Sequence, residues 1–123
     1  FKYKVKKFLS RLSKDEYTHL ELVQLDYLDN IELGIKSNLQ IMKIDVEGHE
    51  LEVIEGGLQF LEKYKPHYLI IEFQKKSNYK NYDPNKIKSL ITQLGYIKIS
   101  SVKAPFNLFV DTIYKSSNSN IKL

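Results

Sequence analysis

The chain has 123 residues, 42% of them hydrophobic and 12% aromatic, enough for one domain with a modest core. It has no cysteine, which excludes disulfides, zinc–thiolate sites and cysteine nucleophiles and fits a reducing, cytoplasmic setting. The net charge of +4 is the excess of 18 Lys and one Arg, spread along the whole chain, over 15 acidic residues, and bidentate phosphate and base recognition favours Arg, so a nucleic-acid partner is not expected. No apolar run approaches the ~20 residues needed to span a membrane, so no transmembrane segment is expected either.

The chain opens on Phe1 rather than Met, which reads as part of a longer protein. Phe1, Val5, Phe8 and Leu12 recur at helical spacing among lysines and Arg11, predicting an amphipathic helix over residues 1–19. Leu20 to Asp26 alternates apolar and polar residues and predicts a strand. Asp26 to Ile31 predicts a short helical turn with Asp26 as N-cap. A loop over Gly34 to Gln40 precedes a central strand at Ile41 to Val46. Its apolar residues Ile41, Met42, Ile44 and Val46 occupy both faces, as in a strand covered on both sides. His49 to Tyr64 predicts the longest helix, with Leu51, Ile54, Leu58 and Leu61 on one face. Gly56-Gly57 lies inside it at about 1 kcal/mol per Gly, which points to close backbone packing, most simply against the sheet.

After Pro66, His67 to Phe73 predicts a second buried strand, and residues 74–83 a polar loop. Asp83 caps a helix opened by Pro84, with Ile87, Leu90, Ile91 and Leu94 inward and Gly95 as its stop. Tyr96 to Ser100 and Asn107 to Tyr114 predict two strands. The link Ala104-Pro105-Phe106 is long enough for a hairpin and too short for a parallel crossover. A Ser/Asn-rich stretch over residues 116–123 reads as a disordered tail. Alternation of strands and helices makes this an α/β fold with parallel strands and a terminal antiparallel hairpin.

Asp45 and Glu72 each end a predicted parallel strand, and ligands of open α/β sheets bind outside that edge. Glu47 follows Asp45 by two residues, and His49 follows by two more at the helix start. Such an acidic rim with one imidazole can take a proton from a substrate hydroxyl, hydrogen-bond sugar hydroxyls, or hold a divalent cation, so a metal stays an open possibility. The plainer alternative is structural: Lys43 pairs with Asp45, while Glu47 and Glu50 stabilise the helix start. His19 and His67 read as structural. Tyr79 and Tyr82 lie in the loop after a strand's carboxyl end, where substrate contacts occur.

The run Lys43-Ile44-Asp45-Val46-Glu47-Gly48-His49-Glu50 resembles the most distinctive motif of the FkbM-type S-adenosylmethionine-dependent methyltransferases. Val53-Ile54-Glu55-Gly56-Gly57, Pro66 with Leu69-Ile70-Ile71-Glu72, and Leu25-Asp26-Tyr27-Leu28 extend the resemblance, which runs from about Leu20 to about Tyr114. It implies the C-terminal half of a class I, Rossmann-like methyltransferase sheet, with residues 1–115 a partial domain that lacks the N-terminal cofactor-binding strands. The family's cofactor site uses a Gly-rich turn, and none of the five glycines here forms a GxG pattern, so the cofactor-binding residues are not identified. The complete enzyme is expected to use S-adenosylmethionine to methylate a hydroxyl oxygen of a carbohydrate, lipid or secondary metabolite. Asp45, Glu47, His49 and Glu72 are its expected catalytic residues, and Tyr79 and Tyr82 contact a small-molecule or glycan acceptor. This chain alone is expected to be inactive. The alternative is a non-catalytic fragment or interaction module with the same half-fold.

Overall fold

The computed structural model describes residues 23–35, 39–74, 82–103 and 108–117. The helix expected over residues 1–19, with His19, lies outside them, as do Tyr79, the link Ala104 to Phe106 and residues 118–123. Four strands form one sheet: β1 (Ile41–Ile44), β2 (Tyr68–Gln74), β3 (Tyr96–Lys103) and β4 (Phe109–Ser116). Their order is β1-β2-β4-β3. The helices are α1 (Glu50–Glu55), α2 (Leu58–Tyr64) and α3 (Pro84–Gln93), preceded by a 3-10 turn at Leu28–Asn30.

β1 and β2 are parallel neighbours, joined through α1 and α2, as the sequence predicts. β4 runs antiparallel to both β2 and β3, so the closing hairpin inserts its second strand into the middle of the sheet. The crossovers from β1 to β2 and from β2 to β3 step in the same direction along the sheet. Connections of one hand stepping in one direction place their helices on one face. A single core results: Ile44, Leu69, Ile71, Phe73 and Tyr114 from the strands meet Leu51, Ile54, Leu61, Ile87, Ile91 and Leu94 from the helices. Strand periodicity sends the alternate residues Lys43, Ile70, Glu72 and Asp111 to the opposite face.

Several sequence expectations need correction. Val23 to Asp26 forms no strand and is exposed, because alternation alone makes a strand only beside a partner edge. Tyr27, not Asp26, occupies the cap of the 3-10 turn, and Asp26 Oδ1 instead accepts the Tyr27 N–H (2.8 Å) and the Asn30 side-chain amide (2.6 Å). β1 ends at Ile44, two residues early, and its two faces are unequally covered: Ile44 is buried while Ile41 is 55% exposed.

The single helix expected over 49–64 is two helices broken at Gly56-Gly57. The pair does mark a close approach, but the 3-10 turn makes it and not the sheet. A Cβ on Gly56 would meet the Tyr27 ring at 2.8 Å, and one on Gly57 would meet Leu28 Cδ2 at 2.7 Å. The helix at Pro84 forms as expected: Asp83 Oδ1 accepts the Asn85 and Lys86 N–H groups, both at 3.0 Å, and Gly95 leaves the helix at φ 77°. β4 runs on through Ser116, one residue into the stretch read as a tail.

Candidate active site

Asp45 follows the last residue of β1, and the chain then turns sharply into α1. Glu47 takes a left-handed conformation at φ 53° and Gly48 one at φ 96°. For a non-glycine residue this conformation costs about 1–2 kcal/mol, so something must hold the turn. Glu50 does so. Its side chain is fully buried, and Oε1 accepts the Gly48 N–H (3.0 Å) and the Val46 N–H (3.4 Å). Glu50 Oε2 is buried with no hydrogen-bond partner.

This turn carries Asp45 and Glu47 to the carboxyl end of β2. Glu72 is there, only 6% exposed. Opposite it in register on β4 stands Asp111, whose Oδ1 is buried without a hydrogen-bond partner. Like charges directly opposite across a strand pair repel. Lys43 relieves part of this: its Nζ lies 2.9 Å from Asp45 Oδ2 and 4.0 Å from Asp111 Oδ1. One ammonium thus serves several carboxylates, and their charge holds its pKa above the usual lysine value, the hydrogen bond to Asp45 first. Glu47 Oε2 accepts a hydrogen bond from Gln74 Nε2 at 3.2 Å, which ties the turn to the end of β2.

Burial pushes the Glu72 carboxyl above its ordinary value of 4.5, and repulsion from Asp45, Asp111 and Glu47 pushes the same way. A carboxyl whose folded pKa is raised binds its proton more tightly when folded. Its contribution to stability is therefore complete below the unfolded value and is lost as pH rises through the folded one. Glu72→Gln, a neutral isostere, should accordingly raise Tm by a few degrees at pH 7 and leave it nearly unchanged below pH 4. Thermal unfolding of the two proteins across that range is the check, and a Tm that falls at pH 7 would contradict the repulsion.

Of the residues singled out in the sequence, Asp45, Glu47 and Glu72 are brought within one electrostatic neighbourhood. His49 occupies the cap position of α1 with Nδ1 3.8 Å from Glu52 Oε1. Tyr82 is half-buried, and its hydroxyl accepts the Gln74 N–H at 2.8 Å, so it braces the end of β2. The Lys43–Asp45 pair of the plainer reading is present, and so is the role of Glu50 in shaping the helix start.

Sequence reasoning missed Asp111 and Gln74. The available signal for Asp111 was a lone acid inside the apolar strand Phe109-Val110-Asp111-Thr112-Ile113. Among the described residues, no group of three or more His, Cys, Asp or Glu side chains could hold a metal ion. No helix among them is long and apolar enough to cross a membrane.

A strand-to-helix turn with an Asp-x-Glu-Gly run at the carboxyl edge of a parallel pair is now defined by its geometry as well as its spelling. The Methyltransferase FkbM domain matches residues 4–98. The chain belongs to the FkbM methyltransferase family. The match begins earlier than the motifs suggest and stops within β3, before the second strand of the hairpin. No curated protein and no solved structure matches the chain.

Methyltransferases of this kind imply a nucleoside cofactor. Gly48 is the one glycine in a strand-to-helix turn, and Glu50 already takes its N–H. A Cβ on Gly56 or Gly57 would run into Tyr27 or Leu28, while a pocket of about 460 Å³ lined by Tyr27, Asp29, Asn30, Glu52, Glu55 and Gly56 opens beside Gly56.

Proposed function

We propose that this FkbM domain is the acceptor-side, C-terminal half of a class I methyltransferase sheet. In the complete enzyme it would direct S-adenosylmethionine-dependent methylation to a hydroxyl oxygen of a carbohydrate, lipid or secondary metabolite. The strand order, with an antiparallel strand inserted beside the outermost one, supports the half-sheet reading. The observation that carries the functional reading is the rim of Asp45, Glu47, Glu72 and Asp111 around one lysine at the carboxyl edge of β1 and β2.

Methylation of a hydroxyl requires its proton to leave as the oxygen attacks. Glu72 is the carboxylate suited to take it, because a carboxylate with a raised pKa is the stronger base. Lys43 offsets the charge of Asp45 and Asp111 while the proton moves. Asp45 and Glu47 would hydrogen-bond neighbouring hydroxyls of the acceptor. The cofactor supplies the methyl group.

In the complete enzyme, Glu72→Gln and Asp45→Asn should each lower kcat by roughly 10²-fold, the usual scale for a positioned acid–base group. Tm should not fall with Glu72→Gln. The double variant should be little worse than either single one, since residues acting as one unit are non-additive. Full turnover in both single variants would remove the rim from catalysis. It would favour the second reading, a non-catalytic interaction module. One observation speaks for that reading: β3 pairs only with β4 among the described residues and leaves Ile97, Ile99 and Val102 exposed.

A further inference from the structure

A groove of about 500 Å³ runs along α3 above the β3–β4 hairpin, on the face of the sheet away from Lys43 and Glu72. Its apolar part is Phe73, Pro84, Val110 and Tyr114, and its polar part includes Lys88, Lys98, Ser101 and Thr112. Among the described residues, no carboxylate lines it. A bulge in β3 assembles one wall. Lys98 pairs with Tyr114 and Ser101 with Thr112, so the extra residue Ile99 turns Ser101, and not Ser100, to the same face as Lys98.

Lys43, Lys63 and Lys86 each sit on a carboxylate, at Asp45, Glu32 and Glu55. Neither Lys88 nor Lys98 makes an ion pair with a described residue. Lys88 Nζ instead stands 5.6 Å from the centroid of the Phe73 ring at the end of the groove. Ser101 Oγ and Thr112 Oγ1 lie 3.4 Å apart. Whichever hydroxyl donates to the other, the second keeps a proton to offer.

We propose that this groove binds an organic phosphate monoester, with the ester's apolar body on Phe73, Val110 and Tyr114 and its phosphate between Lys88 and Lys98. Two cations match a dianion, and the spare hydroxyl proton adds a donor to one of its oxygens. The acidic rim repels the same group. Gln74 stands between the two sites: it lines the groove, and its side chain donates to Glu47 of the rim. A molecule held by its phosphate in the groove would present its other end at the carboxyl edge of β2. That this ester is the methyl acceptor rests on the function proposed above; that the groove binds it does not.

The test is calorimetric titration of the chain with phenyl phosphate, phenyl glucoside and inorganic phosphate. Phenyl phosphate should bind at least tenfold tighter than either of the others, because one lacks the charge and the other the body. The Lys88→Gln/Lys98→Gln variant, altered only at exposed side chains, should weaken it tenfold or more, and added salt should weaken the unaltered protein in the same direction. Equal affinity for the glucoside, equal affinity for inorganic phosphate, or an unchanged double-lysine variant would each overturn the proposal. Phenyl phosphate binding in a complete protein that methylates nothing would sink the methyltransferase reading and leave the groove standing.

Discussion

Glu50→Ala should lower the unfolding free energy by about 3 kcal/mol, more than removing any exposed acid of the chain. The loss has two parts. The buried Gly48 N–H loses its acceptor, at about 1–3 kcal/mol, with a smaller loss at the exposed Val46, whose bond is longer at 3.4 Å, and the space left by the side chain does not refill fully. Glu50→Gln keeps one acceptor oxygen for Gly48 and should cost only about 1 kcal/mol. Urea unfolding measures both, and a shifted midpoint with an unchanged slope would show a change of stability alone. The functional consequence follows from the backbone. Without Glu50, the left-handed turn at Glu47 and Gly48 loses its clasp, and Asp45 and Glu47 lose their common orientation. An alanine variant within 0.5 kcal/mol of the parent would mean that the turn holds itself.

Gly57→Ala should destabilise by about 2–3 kcal/mol, and Gly56→Ala by about half as much. The difference lies in what each new methyl meets. At Gly57 it would stand 2.9 Å from the Val53 carbonyl oxygen and 2.7 Å from Leu28 Cδ2, and the carbonyl is backbone that cannot swing away. At Gly56 the closest atom, at 2.8 Å, belongs to the exposed Tyr27 ring, and the Glu52 carbonyl is farther off at 3.2 Å. Combining Gly57→Ala with Leu28→Ala should recover only part of the loss, because the Val53 contact remains. Equal costs at the two glycines would show that the clash with backbone does not decide.

Much of the fold was legible because local chemistry and tertiary structure agree. Asp83-Pro84 opens its helix on local chemistry, since Pro supplies the right φ and Asp accepts the free N–H groups. The apolar residues of Tyr68 to Phe73 can be satisfied only in the middle of a sheet, and β2 is paired on both sides. The short hairpin link excluded a parallel crossover before any strand was placed. The site was half legible. Asp45, Glu47 and Glu72 could be read from where strands end. Asp111 could not, because nothing local says which strand an inserted hairpin will lie beside.

The sequence by itself determined the family, the α/β class, the parallel β1–β2 unit and the capped third helix, all of which rest on contacts within a few residues or one crossover. Only the tertiary structure decided the rest. Long-range register put Asp111 opposite Glu72 and one lysine among the carboxylates. The approach of the 3-10 turn was needed to account for Gly56-Gly57, which helical periodicity had passed over. Val23 to Leu25, alternating as a strand should, stayed exposed, because alternation states which face would be buried but does not supply the partner to bury it against.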